Sequence, residues 1–283
     1  MFWLASFIMR GRVHASAVAA LGNALPLITP ATIGLVALRK GFSEGGLICL
    51  WGLLPVFLTY FYSDSNQFFV LLTACNFLNV LLVCGILRYR GDWEMTLVSL
   101  VIISIILMGS LLLIFQQDFE VLVQRLIEVF EEASRQTSIE SLKIEKSSIA
   151  VFTTWTIILN TFLGVVIARW WQSIIFNPGG FKQEFQGIRL NRRLLILIFS
   201  ILVLSSAIFN QYSNWAYLSI FPLVVGGLSL FHWLVNEKNL GKVPIIFTYV
   251  FMVLFTPFVI LILALLGTVD CFYNVRQRLR AKV

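Results

Sequence analysis

The chain has 283 residues, of which 59% are hydrophobic and only 12% are Asp, Glu, Lys or Arg, against roughly half and a quarter in soluble domains. That balance excludes an ordinary water-soluble domain. The net charge of +7 comes from short basic clusters between apolar runs, which is a topology signal and argues against a nucleic-acid partner.

A bilayer core of about 30 Å takes about 20 apolar residues in a helix, and several stretches here supply them without an internal charge. We therefore expect an all-α, polytopic transmembrane helix bundle of about eight spans. Residues 1–283 should form a single integral membrane domain whose first partner is the lipid bilayer. The opening MFWLASFIM has no basic region before it and runs directly into Arg10 and Arg12, which argues against a cleaved signal peptide.

Residues 13–38 are apolar with Pro26 and Pro30 in their middle. Proline removes a backbone donor and disfavours helix just before it, so the stretch is either one kinked span or two short helices in a hairpin. Within it Ala15 and Ala19, with Ala20 and Ala24, give small-xxx-small spacing, an association face toward another helix of the chain or another subunit. Further spans are predicted at about 45–61, 67–87 and 95–115, with Arg88 and Arg90 at an interface.

From Gln116 to Ser148 seven acidic residues oppose four basic ones, and Phe119, Leu122, Val123, Leu126 and Phe130 recur at helical spacing. That pattern predicts an amphipathic helix in an acidic loop at about 116–148, lying on the headgroups or on the spans, or docking a partner.

A span at about 150–171 ends in Arg169-Trp170-Trp171, and Asn177-Pro178-Gly179-Gly180 follows as a turn. Phe181, Phe185 and Ile188 then recur beside Lys182, Arg189, Arg192 and Arg193, a basic amphipathic piece within a loop at about 172–193. The last spans are expected at about 194–209, 215–235 and 244–267. By the positive-inside rule the basic loops are cytoplasmic and the acidic one external. The basic tail with Arg276, Arg278, Arg280 and Lys282 breaks that alternation, so either Pro257 splits the final run into a re-entrant pair or the tail is an exception. Trp170, Trp171, Trp215 and Trp233 fall at span ends, as in an aromatic belt.

No Asp, Glu, Lys or Arg lies inside a span away from its ends, which argues against a carboxylate proton relay. Cys49, Cys75, Cys84 and Cys271 include no Cys-x-x-Cys pair, and His14 and His232 stand apart without a neighbouring acid. Neither a metal site nor a Ser/His nucleophile is expected, and no phosphate-binding lysine loop is present. Uncharged polar residues do occur within spans: Asn76 and Asn79 share a face, and Asn160 sits mid-span near Thr153, Thr154 and Thr161. An amide in hydrocarbon wants a partner, so these face the bundle interior, as interhelical links or as the lining of a small-molecule cavity.

The motif ARWWQSIIFNPGGFKQEFQGIRL at 168–190 resembles the YybS-like family of bacterial membrane proteins in its gammaproteobacterial form. The ending LGTVDCFYNVRQRLR at 266–280 is similar to that family's closing pattern, with Asp270, Phe272, Tyr273, Arg276 and Arg278 in place and Asn274 where a second acid is frequent. The resemblance implies a multi-pass protein of the bacterial inner (plasma) membrane. It also implies a distant likeness to the substrate-binding membrane subunits of energy-coupling-factor vitamin importers. In those, an Ala-x-x-x-Ala face on the first helix contacts a membrane partner; Ala15 and Ala19 match it.

The expected activity is therefore non-enzymatic. A transporter-like subunit would bind a small apolar or uncharged molecule around Asn76, Asn79 and Asn160, without cofactor or metal. Other membrane subunits would dock through Ala15/Ala19 and the 177–193 segment. The alternative is a non-enzymatic membrane scaffold whose amphipathic loops dock envelope or division proteins.

Overall fold

A computed structural model describes residues 1–62, 67–137, 145–208 and 213–280, all of whose regular structure is helical. The contacts divide the chain into two compact units, Met1–Gly91 with Ser99–Pro178, and Asp92–Val98 with Gly179–Val283.

The first unit holds α1 (Phe2–Met9), α2 (Arg12–Leu21), α3 (Ile28–Lys40), α4 (Phe42–Tyr62), α5 (Gln67–Arg90), most of α6 (Trp93–Ile114), α7 (Gln116–Thr137) and α8 (Lys146–Phe176). Its centre is α3. Every residue from Thr29 to Leu38 is buried, because α2, α4, α5 and α8 all pack around this one short helix. Small residues permit the approach. A Cβ on Gly34 would lie 2.8 Å from that of Ala168 on α8, one on Gly45 of α4 would lie 2.7 Å from that of Ala37, and one on Gly164 of α8 would lie 2.9 Å from that of Pro30. Where hydrocarbon surrounds helices, such close backbone packing and its dispersion energy replace the hydrophobic effect as the cohesive force. The C-terminal end of α3 is capped from α5, where Arg88 Nη1 donates to the Ala37 and Leu38 carbonyls at 3.3 and 3.2 Å. Beside it the Arg39 guanidinium lies 4.1 Å from the Phe176 ring centre.

The second unit holds the first turns of α6, then α9 (Gly180–Gly187), α10 (Arg192–Ile208), α11 (Ser213–Ala216), α12 (Phe221–Glu237), α13 (Val243–Leu254), α14 (Thr256–Tyr273) and α15 (Val275–Arg280). Its core is the crossing of α12 and α14 at Gly227 and Gly267.

Six segments among the described residues are long and apolar enough to cross a bilayer, namely α4, α5, α6, α8, Asn214–Glu237 and α14. A seventh arises if α9 and α10, bent by 57°, count as one. The chain is a multi-pass helical membrane protein. Three of the eight expected spans are not single crossing helices: 194–209, which qualifies only when α10 is joined to the bent α9, 13–38 and 244–267. Residues 13–38 divide into α2 and α3 on either side of Pro26, the split alternative. Residues 244–267 break at Phe255, two residues before Pro257, so that α13 has 12 residues and reaches only about 18 Å. The ring of Pro257 and its missing N–H are accommodated in the first turn of α14, where no intrahelical donor is required.

The acidic segment begins as expected, with Phe119, Leu122 and Val123 of α7 buried and the Phe119 ring centre 5.2 Å from that of Phe68 of α5, the rings tilted by 44°. Farther along, Leu126 and Phe130 are exposed. The expected features at 138–144 and the tail residue Lys282 lie outside the described residues. The aromatic-belt reading needs correction at two positions: Trp171 and Trp233 are buried inside the protein, while Trp170 remains partly exposed. Position along the chain placed them near span ends, but it could not tell which face of the helix each occupied.

Candidate functional site

The break between α2 and α3 is built by local rules. The residue before a proline is pushed to extended backbone, and Leu25 sits at φ −124, ψ 129. Leu27, after Pro26, takes φ 69, ψ −10, the conformation that the third position of a type II turn requires. The Ile28 N–H donates back to the Leu25 carbonyl at 3.5 Å. A leucine in left-handed backbone is strained, and such strain persists only where surroundings over-determine it.

Those surroundings are polar. Asn23 Nδ2 donates to the carbonyls of Ala19, Ala20 and, from α4, Gly52 at 3.3, 3.2 and 2.8 Å. Thr29 Oγ1 donates to the Ala19 carbonyl at 2.8 Å, tying the start of α3 to the end of α2. The carbonyls freed by the break are thereby partly satisfied inside the protein, the condition for irregular backbone at membrane depth.

A cavity of about 220 Å³ opens at this break. Its polar lining comes from Asn23, Thr29, Thr73, Asn76, Thr156 and Asn160, on four different helical segments, and Leu27, Phe77 and Ile157 are among its apolar walls. No Asp, Glu, Lys, Arg or His lines it. Of the three asparagines expected at a ligand site, the structure brings Asn76 and Asn160 together here and not Asn79. Asn79 is fully buried and donates through Nδ2 to Ser104 Oγ of α6 at 2.8 Å, while that hydroxyl donates to the Leu100 carbonyl at 2.8 Å. Helical spacing put Asn76 and Asn79 on one face, but three residues span 300° on a helix of about 3.6 residues per turn, and the 60° difference separates a cavity wall from an interhelical contact. Asn23, Thr29, Thr73 and Thr156 were missed; the signal for the first two is their position on either side of the Pro26 break.

Compared with protein-family models, curated proteins and solved structures, the chain matches none.

The Ala15/Ala19 face is occupied within the chain. Both residues are buried as α2 packs on α3 and α4. At the other end of α2, Arg12 donates through Nε and Nη2 to both carboxylate oxygens of Glu44 at 2.9 and 2.5 Å.

The two sequence motifs noted for their resemblance meet in the second unit. Arg189 donates through Nε to the Asp270 carbonyl at 3.2 Å and through Nη2 to that of Cys271 at 3.3 Å. Arg276 Nη2 donates to the Ile188 carbonyl at 2.8 Å and to Ser229 Oγ at 3.0 Å, and its Nε lies 3.6 Å from Asp270 Oδ2. The Ser229 hydroxyl reaches the Phe185 and Ile188 carbonyls at 2.6 and 2.9 Å, and Asp270 Oδ1 accepts from the Val275 N–H at 3.1 Å. Asn274, in left-handed backbone with φ 47, turns the chain between Asp270 and Arg276. Arg192 and Arg278 lie over Phe272 and Tyr273, 5.5 and 5.6 Å from the ring centres. Gly179, at φ +86, caps the start of α9, where a side chain would be strained. Near it Asn177 ends α8 and accepts Ser173 Oγ on its carbonyl at 2.8 Å, with Pro178 exposed beside it. Gly180 is buried, and Phe181 stands 6.4 Å from Trp93 and 5.8 Å from Phe185. This network joins a loop, α12 and the end of α14. Its bonds hold these three segments together.

Proposed function

We propose that the protein is a non-enzymatic, transporter-like membrane subunit that binds a small uncharged molecule in the cavity at the α2–α3 break. The observation that carries this reading is the Asn76 amide. It lies half-buried on a spanning helix, lines the cavity, and its side chain makes no hydrogen bond to any described residue, which leaves both its donor and its acceptor end for a ligand. A broken helix wrapped by continuous ones is also the arrangement in which membrane transporters bind ligands near the bilayer midplane. The volume is below the roughly 300–1,000 Å³ of drug-sized sites, which points to a small metabolite. The resemblance of 168–190 and 266–280 to YybS-like proteins supports a bacterial inner membrane as its location, and the positive-inside rule supports 116–148 outside and 172–193 in the cytoplasm.

The full chain in lipid nanodiscs, equilibrated with a pool of uncharged metabolites, washed and read by mass spectrometry, tests the reading. One or more compounds should be retained by the wild type and lost in Asn76→Leu. Recovery equal to that from empty nanodiscs would overturn it.

A further inference from the structure

The hydrogen-bonding inventory of the cavity narrows the ligand class. Its donors are almost all committed to the protein. Thr29 Oγ1 donates to the Ala19 carbonyl, Thr73 Oγ1 to that of Phe69 at 2.9 Å, and Thr156 Oγ1 to that of Phe152 at 3.1 Å. The Asn23 amide nitrogen faces three carbonyls, which fixes its orientation and leaves Oδ1 as its other end. Asn160 Nδ2 already donates to the Thr156 carbonyl at 3.2 Å. Of the backbone donors at the start of α3, the Ile28 and Ala31 N–H groups are bonded to the Leu25 and Leu27 carbonyls and Pro30 has none, which leaves the N–H groups of Leu27 and Thr29.

What remains is mainly acceptor capacity. The oxygens of Asn23, Asn76 and Asn160 and the lone pairs of three threonine hydroxyls face few free donors, of which the Asn76 amide supplies the most. An anion would find no cation in this lining, and a cation no carboxylate, so either would carry an uncompensated desolvation cost. Building on the proposed binding role, we propose that the cavity takes a neutral molecule presenting several hydroxyl or amide N–H donors, a polyol or a neutral amide, in preference to acceptor-only or charged molecules.

Three ring compounds of similar size separate these classes: trans-1,2-cyclohexanediol with two donors, cyclohexanone with only an acceptor, and cyclohexanecarboxylate with a charge. Saturation-transfer NMR on the full chain in nanodiscs reads binding, and subtraction of the Asn76→Leu signal removes partition into lipid. Asn160→Leu serves as a second variant should the first be poorly folded by circular dichroism. A diol signal at least fivefold above the cyclohexanone signal, and lost in the variants, supports the inference. A variant-sensitive signal from cyclohexanone or the carboxylate equal to that of the diol overturns the ligand class and leaves the cavity's binding role standing. Absence of a variant-sensitive signal from all three overturns both.

Discussion

Gly227 of α12 meets Leu263 of α14 backbone to backbone: a Cβ added to the glycine would sit 1.8 Å from the Leu263 carbonyl oxygen. Gly267 answers from α14, where a Cβ would sit 2.2 Å from the Leu223 carbonyl oxygen. Neither obstacle is a flexible side chain, so the helices themselves would have to separate. Gly227→Ala should therefore cost at least the ~1–3 kcal/mol typical of overpacking, seen as a lower Tm in detergent. Gly109→Ala in α6, where nothing lies within 4 Å, should be neutral or stabilising by up to ~1 kcal/mol through higher helix propensity. Equal Tm values for the two variants would refute the account of the crossing.

Arg276 and Asp270 predict an asymmetric pair of mutational effects. Their side chains are 12% and 2% exposed, so removing the guanidinium leaves a buried carboxylate and takes one of two donors from the Ile188 carbonyl, which keeps the Ser229 hydroxyl. Arg276→Gln should destabilise by roughly 3–5 kcal/mol, the usual consequence of breaking a buried pair from one side. Asp270→Asn keeps an acceptor for the Val275 N–H and should cost less, about 1–2 kcal/mol. Unfolding monitored by hydrogen exchange at 185–192 and 266–276 would show the order, and a milder Arg276→Gln would contradict it.

Hydropathy made the spans legible because one physical requirement, apolar length, dictates them. Pro26 and Pro30 made a disturbance within 13–38 equally visible, since proline acts through its own ring, but left a kink and a split as alternatives. What the sequence concealed is rotational. Whether Trp171 meets lipid or protein, and whether Asn79 lines a cavity or bonds Ser104, depends on where neighbouring helices pack, and those contacts join residues 25 or more positions apart. Likewise the segments 168–190 and 266–280 could be singled out separately, while the Arg189 and Arg276 bonds that unite them exist only in the fold.

The contact between α7 and α8 predicts a pH effect. Lys146 Nζ donates to Glu120 Oε1 at 3.0 Å, and this partner holds the Glu120 carboxyl below its ordinary range. The pair therefore favours the docked helix above the unfolded carboxylate value of about 4.3, and its contribution disappears as pH falls through the lower folded value. A spin label at Gln124 should become more mobile as pH drops below about 4. High salt should weaken the effect, because the pair is exposed. In Glu120→Gln the label's mobility should not change over that range; a wild-type label immobile throughout would rule the coupling out.

Asn79 and Asn76 lie one helical turn apart in α5 and should fail in opposite ways. Asn79 joins α5 to α6 through Ser104, and leucine there replaces a buried hydrogen bond with a bulkier apolar group beside a hydroxyl. That hydroxyl keeps its bond to Leu100, so the loss should be about 1–3 kcal/mol, with diol binding unchanged. The Asn76 side chain makes no hydrogen bond to a described residue. Asn76→Leu therefore relieves an unmatched amide and should leave Tm unchanged or slightly raised, while diol binding falls by tenfold or more. Thermal unfolding and saturation transfer on the same two variants decide the matter. If Asn79→Leu abolished binding while retaining full stability, the cavity would have to be placed on the other side of α5.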